Sequence, residues 1–297
     1  MRILITGGSG FVGQRLCAQL DADGHDLFVV SRSPEKAAEV LPGGADIRAR
    51  IADFDDAAPE AIVNLAGEPI AEGRWTDTKK KRIVDSRVET TREVVELCGR
   101  LETPPKVLVS ASAVGYYGDQ GDRDVTEDSE RNEEWLSDIC VKWEAEANKA
   151  ADHGVRVAIV RIGLVMDEGG GMLARMLPAF KFGLGSKLGD GSQYMPWIHR
   201  DDLVRAFIFL LEHDECEGPF NGSAPNPVTN AEFTKTLASH LNRPTFLPAP
   251  APALKLAFGE MSHMLLTGAK MRPKRLQDAG FEFRYPTLDD ALADILD

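Results

Sequence analysis

The 297-residue sequence predicts an α/β fold, a doubly wound parallel sheet followed by a smaller and less regular C-terminal lobe, and three observations carry that prediction. Short apolar runs alternate with longer helical segments through the first half of the chain, the order that builds parallel sheets. The runs are almost wholly apolar, as strands are when helices cover both faces. The first run also ends in a glycine-rich turn that opens directly into a helix. In order, strands are predicted over 2–6, 26–30, 61–65, 106–110 and 156–161, with helices over 13–22, 77–101 and 134–151 between them. Beyond residue 161 the rhythm loosens. Gly169-Gly170-Gly171 and the stretch 183–191 read as loops, and 206–212 as one more helix. Pro244, Pro248, Pro250 and Pro252 exclude a continuous helix there, because each removes a backbone donor. Leu276, Ala279, Leu288, Ala291, Leu292 and Ile295 suggest short amphipathic helices closing the lobe.

Composition bounds the function. With 43% hydrophobic and 27% charged residues the chain is an ordinary globular protein, neither disordered nor fibrous. A net charge of −13 argues against nucleic acid and anionic lipid as partners. The acidic excess is concentrated in residues 1–150, so any anionic ligand must be met by local cations. Cys17, Cys98, Cys140 and Cys216 are scattered without a CxxC pair or zinc-ligand spacing and read as reduced core thiols, and no metal site is expected. The opening apolar run is too short for a signal peptide and no later stretch approaches a membrane span, which points to the cytoplasm.

The chemistry begins at Ile3-Leu4-Ile5-Thr6-Gly7-Gly8-Ser9-Gly10-Phe11-Val12-Gly13. Gly7 permits the sharp turn, Gly10 lets backbone amides approach a pyrophosphate, and Gly13 lets the helix pack closely on the strand. The turn runs into the helix over 13–22, whose N-terminal amides and dipole favour an anion, and Phe11, Val12 and Gly13 join the expected cofactor contacts. The second strand ends Val30-Ser31-Arg32-Ser33. Where NAD-binding chains place a carboxylate about 20 residues after the turn, this one has none. Arg32, beside Ser31, is instead placed to meet a 2′-phosphate, which predicts NADP(H) over NAD(H).

Together with Asp53 in Ala52-Asp53-Phe54-Asp55-Asp56 and with Asn64-Leu65-Ala66-Gly67, the turn resembles that of the extended short-chain dehydrogenase/reductase superfamily. The likeness spans nearly the whole chain. Arg74-Trp75-Thr76, Ser86-Arg87, Ser110 to Gly118 and Trp143-Glu144 look like its atypical subfamily labelled NAD-dependent epimerase/dehydratase-like, sugar-nucleotide epimerase or cell-division inhibitor. The resemblance implies a Rossmann-type domain over residues 1–165, with 196–220 returning to it, and a substrate lobe over 166–297. It also implies that Asp53 lies near the adenine and that Ala66 and Gly67 pack on the cofactor's sugar and phosphate.

The superfamily uses a serine, a tyrosine and a lysine: the phenol exchanges a proton, the lysine lowers its pKa, and the serine holds the reacting oxygen. The resemblance assigns Ser112 and Lys142 to two of these roles. Four residues before Lys142, where the tyrosine belongs, stands Asp138, which leaves three explanations in order: Tyr116 or Tyr117 supplies the phenol from the neighbouring loop, the proton comes from another group, or the site binds a cofactor without turnover. In Gly189 to Asp202 the position at which sugar-nucleotide enzymes place a diphosphate-binding arginine is Met195. Tyr194, Met195 and Trp197 then suggest an apolar wall for a smaller substrate. His199 reads as structural. Lys79-Lys80-Lys81-Arg82 is a solvated face from which Arg82 or Arg87 reaches the cofactor or an anionic substrate group, and the nine acids between 119 and 138 form a hydrated loop at the pocket mouth.

The leading expectation is an NADP(H)-dependent oxidoreductase acting on a small carbonyl or alcohol. Its rivals are an NADPH-binding regulatory or redox-sensing protein without turnover and, third, a sugar-nucleotide epimerase. The expected partner is a small-molecule substrate, and a homodimer is the assembly to test for.

Overall fold

A computed structural model describes residues 1–245 and 249–296. Among them, seven parallel strands form one sheet: β1 (Arg2–Thr6), β2 (Asp26–Val30), β3 (Asp46–Arg48), β4 (Ala61–Asn64), β5 (Val107–Ala113), β6 (Arg156–Ile162) and β7 (Gly218–Gly222). Their order is β7-β6-β5-β4-β1-β2-β3. The chain thus builds outward from β1 in one direction, then returns to β4 on the other side. That reversal opens a crevice at the carboxyl ends of β1 and β4, where sheets of this kind bind ligands.

Alternation along each strand decides which helices it meets. Ile3, Ile5, Val29, Val63 and Val109 face α1 (Phe11–Ala22). Leu4, Ile62, Leu108 and Val157 face α2 (Asp77–Arg100) and the end of α3 (Trp135–Asn148). Both faces are therefore covered. β3 and β7 escape the sequence reading because a three-residue strand and Gly-Pro-Phe-Asn-Gly carry no apolar run; the register with β2 and β6 makes them strands.

The C-terminal part adds α4 (Gly171–Lys181), α5 (Arg200–Glu212) and α6 (Asn230–His240). α4 was hidden by its glycine start and the internal Pro178. α5 packs on the α1 side of the sheet, whereas α4 and α6 enclose a separate core of Met166, Leu177, Met195, Trp197, Phe233 and Leu292. Pro250 and Pro252 start the helix Ala251–Phe258 rather than interrupt one, and Pro248 lies outside the described residues. Leu276, Leu288, Ala291 and Leu292 are buried from the two terminal helices Lys274–Asp278 and Leu288–Leu296.

Two polar rows cross the carboxyl end of the sheet on the face toward α2 and α3. In the first, Thr6, Asn64 and Ser110 are register neighbours on β1, β4 and β5. Asn64 accepts from Thr6 Oγ1 at 2.6 Å and donates to Thr91 Oγ1 at 2.8 Å and Ser110 Oγ at 3.1 Å, while Thr91 also accepts from Trp143 Nε1 at 3.0 Å. One buried amide so joins three strands to two helices. In the second row Ser112, Arg161 and Asn221 stand side by side on β5, β6 and β7. Arg161 grips Glu144 of α3 through both carboxylate oxygens, at 3.0 and 2.9 Å, and donates to Tyr117 Oη at 2.9 Å and to the Glu127 carbonyl. Glu127 Oε1 accepts from the amides of Asn221 and Arg275, and its Oε2 is buried without a partner.

Two outcomes follow from these rows. Asn64→Ala leaves the Thr6, Thr91 and Ser110 hydroxyls without their partner in a dry core, and should lower unfolding free energy in urea by more than about 2 kcal/mol; a loss within error would mean water takes its place. Burial raises the Glu127 carboxyl above the usual glutamate range in spite of its backbone donors. The folded chain therefore holds that proton more tightly than the unfolded one, and the stability it adds below the unfolded pKa of about 4.3 is lost as pH rises through the raised value. Glu127→Gln should gain on the wild type between pH 4 and pH 8, and an unchanged difference across that range would remove the linkage.

Candidate functional site

The turn after β1 is built by contact. Gly7 has φ 71°, and a Cβ there would lie 2.7 Å from the Leu65 carbonyl carbon. A Cβ on Gly13 would lie 2.3 Å from the Gly7 oxygen. Gly10 is the N-cap of α1 and offers no side chain to the helix amides; its amide donates to Gly7 O at 3.0 Å, and the first helical bond runs from Gln14 N to Gly10 O at 2.9 Å. The amides of Phe11, Val12 and Gly13 consequently precede the first intrahelical bond, and no acidic residue lies in that turn. Such an end favours an anion.

At the tip of β2, Ser31 donates its amide to Arg48 O at 3.0 Å. Arg32 is exposed and has no ion pair among the described residues. Asp53 is engaged otherwise: Arg50 reaches its carboxylate at 2.6 Å and holds its pKa below the usual range. At the tip of β4, Ala66 N donates to Thr6 Oγ1 at 3.3 Å and Gly67 stands exposed. A Cβ on Gly67 would come within 3.1 Å of the Arg87 guanidinium carbon.

α2 delivers the cations on this side. Lys79, predicted on a solvated face, is buried and donates to Glu68 Oε1 at 2.8 Å, and Arg82 approaches the same oxygen at 4.0 Å. Glu68, which the sequence reading missed, is held below the usual glutamate range by the Lys79 bond first, with the charges of Arg82 and Arg32 adding to it. Arg87 Nη1 donates to the carbonyls of Glu68 and Ile83 at 3.1 and 3.0 Å, over the Trp143 ring at 5.2 Å.

The expected serine, tyrosines and lysine do not converge. Ser112 is 2% exposed and donates to Glu144 Oε1 at 2.6 Å. Because the paired carboxylate can only accept, the single proton of Ser112 is committed to it. Tyr117 is wholly buried; its hydroxyl donates to Asn221 Oδ1 at 2.7 Å and accepts from Arg161, and burial pushes its pKa up to about 12. Tyr116 is half-buried, its ring 3.4 Å beneath the Arg161 guanidinium, with no hydrogen bond from its hydroxyl among the described residues. Lys142 is exposed, and Asp138 accepts from Arg131 at 2.9 Å.

Several residues of α3 meet the end of β5 and its loop: Leu136, 3.3 Å from a Cβ on Gly115; Ser137, whose hydroxyl donates to Tyr116 O at 2.7 Å; Cys140, whose Sγ lies 3.7 Å from Ala113 O; and Glu144, which holds Ser112. Burial pushes the Cys140 thiol up to about 11, and the Ser112 hydroxyl adjoins it. Leu136 and Cys140 are four apart, as the resemblance requires, but two positions before Asp138 and Lys142. At about 100° per residue, two positions are more than half a turn, which carries Lys142 to the outer side of the helix.

In the lobe, Trp197 is fully buried and Met195 is 6% exposed, its sulfur accepting from Asn230 at 3.2 Å, so neither presents surface to a ligand in this structure. Tyr194 is half-buried under the Lys270 ammonium. His199 Nδ1 caps α5 by accepting from Asp201 N. The acidic loop is docked rather than hydrated along its length: 124–125 pairs with 270–271, and Glu127 is buried. A groove between α1 and α5 lies outside all of these residues, and its Arg15 and Asp201 already bond each other at 2.7 Å. Among the described residues no helix is long and apolar enough to cross a membrane, and no three potential metal ligands converge.

Residues 3–221 match the model of the NAD dependent epimerase/dehydratase family, and residues 249–295 match a domain of unknown function, DUF1731. The chain is 41% identical over 100% of its length to the chloroplastic SDR39U1 homolog of Arabidopsis thaliana, an epimerase family protein of which it covers 87%. It is 37% identical to the Homo sapiens epimerase family protein SDR39U1, covering 100% of both. A crystal structure of human SDR39U1 with NADPH superposes with a TM-score of 0.91 at 36% identity over 99% of each chain. A Thermotoga maritima UDP-glucose 4-epimerase, 19% identical with a TM-score of 0.79 over 100% of this chain and 97% of that one, shares the fold. On sequence, on sheet order and on the turn after β1, the chain belongs to the NAD-dependent epimerase/dehydratase family.

Proposed function

We propose that the protein binds NADP(H) and transfers hydride between it and a small carbonyl or alcohol. The observation that carries this reading is the pairing of an uncapped helix start at Gly10 with an unpaired, exposed Arg32 at the tip of β2. The first suits a pyrophosphate and the second a 2′-phosphate. The NADPH in the structure of the human relative supports the same choice.

Bound there, a nicotinamide supplies or accepts the hydride. The chain's own part is to orient the reacting oxygen and manage its proton. Ser112, its proton held by Glu144, is an acceptor for the hydroxyl of an alcohol. Tyr116 is the phenol of choice, since both bonds of the Tyr117 hydroxyl are spent inside the core. Lys142 is set aside for its outward position, and Met195 and Trp197 shape the lobe's core. The buried thiols suit a reducing compartment such as the cytoplasm.

One observation favours a second reading, an NADPH-binding regulatory protein without turnover: the α3 side chains that meet the loop after β5 are Leu136, Cys140 and Ser137, and the Ser137 proton is held by the Tyr116 carbonyl. Epimerisation would need the same hydride step and a proton relay besides.

Calorimetric titration and NADPH absorbance separate these. Arg32→Ala should weaken NADPH binding about 10- to 100-fold and leave NADH nearly unchanged; equal losses for both would remove Arg32 from the 2′-phosphate. With a panel of aldehydes, ketones and oxo acids, the wild type should oxidise NADPH and Tyr116→Phe should lose at least about 100-fold in kcat. Tight NADPH binding with no oxidation by any member would establish the regulatory reading.

A further inference from the structure

Arg87 is a half-buried guanidinium without a carboxylate partner among the described residues. Its neighbours on α2 differ: Lys79 and Arg82 share Glu68. Both bonds that Arg87 makes come from Nη1 and end on backbone carbonyls, which leaves Nε and Nη2 free. Those two donors form one edge of the planar fork, the geometry that takes a carboxylate by two parallel bonds. Trp143 lies against the guanidinium, Gly67 leaves the space beside it open, and burial lowers the Arg87 pKa, a cost that an arriving anion would offset.

Strand order sets this edge apart from Arg32 and the turn amides. Gly67 beside it is the residue that the resemblance sets against the cofactor's sugar and phosphate, so loss of NADPH by an Arg87 variant would assign the guanidinium to the cofactor. Arg32 ends β2, on one flank of β1, and the turn amides follow β1 itself. Arg87 stands on the other flank, beside β4, against Trp143 and near the Cys140 thiol that adjoins Ser112.

We propose that Arg87 anchors a carboxylate carried by the substrate, so that the compound transformed is a small organic acid with a carbonyl or hydroxyl group, held through Nε and Nη2. This rests on the hydride-transfer reading of the same site. It narrows the substrate class and explains how a chain of net charge −13 accepts an anion: the cation that meets it is half-buried and already oriented by two carbonyls.

The test uses the full chain, saturated with NADPH, and follows tryptophan fluorescence and calorimetry as benzoate, oxalate, phenylglyoxylate and methyl phenylglyoxylate are added. At least one acid should bind, and phenylglyoxylate should bind about tenfold or more tightly than its neutral ester. Arg87→Met should weaken acid binding about 10- to 100-fold while its NADPH affinity stays within about twofold of the wild type, which also shows the variant is folded. Arg87→Lys, which keeps the charge and loses the fork, should fall between. Acids binding no better than the ester, or not at all, would overturn the assignment. So would a Met variant that loses NADPH instead, since the guanidinium would then serve the cofactor. A wild type that binds no NADPH, tested alone, overturns the hydride-transfer reading, and acid binding to that cofactor-free protein would still report on Arg87.

Discussion

The buried pair of Arg161 and Glu144 fixes the end of the molecule at which chemistry is proposed. Two charges withdrawn from water cost several kcal/mol each unless geometry and further bonds compensate. Here the contact is bidentate, Glu144 also accepts from Ser112, and Arg161 finds Tyr117, a carbonyl and the face of Tyr116. Through these bonds one side chain on β6 reaches β5, α3 and the loop 114–118, and Tyr117 passes the connection to Asn221 on β7. Asn221 in turn holds the carbonyl of Arg272, from the C-terminal segment, at 2.9 Å. The relation of sheet to lobe thus runs through a chain of saturated polar contacts rather than through apolar packing alone.

Saturation has a chemical consequence. A hydroxyl whose proton is held by a carboxylate cannot donate that proton to a carbonyl oxygen, and a phenol used as both donor and acceptor in the core cannot exchange one with a ligand. Ser112 and Tyr117 therefore contribute firmness, with Ser112 keeping an accepting lone pair. Among the site residues described, Tyr116, Arg87 and Arg32 keep unspent capacity.

Much of the fold was legible because burial on both faces forces apolar strands, and β1 and β2 coincide with their predicted spans. The turn was legible because Gly7 and Gly13 stand where any Cβ would strike backbone. The short edge strands were not, since pairing with a neighbour rather than composition makes them strands. In the site, the resemblance points to Asp138 and Lys142 on α3, whereas the buried face of that helix carries other residues. The sequence did contain the corrective signal: Cys140, Trp143, Glu144 and Ala147 form the buried stripe at helical spacing, and Lys142 is off it. Glu144 carried the resemblance, but its pairing was not legible, because a carboxylate in that stripe declares its partner only when Arg161, on a distant strand, is brought opposite. Tyr117 and Trp197 were drawn into the site by type, whereas both are large side chains consumed by packing.

The charge distribution makes the same point from the outside. A net −13 would repel a phosphorylated dinucleotide if the charge acted as a whole, but at physiological ionic strength surface charges are screened beyond about 8 Å. Many of the acids already have partners: Glu68 with Lys79, Asp53 with Arg50, Asp124 with Arg272 and Asp201 with Arg15. Among the cations that lack such a partner, Arg32 at the tip of β2 and Arg87 beside β4 are the local field that an anionic ligand meets at the crevice. They stand on opposite flanks of the β1–β4 crevice, one beyond β2 and one beside β4, so a ligand anionic at both ends would lie across the point where the sheet reverses direction.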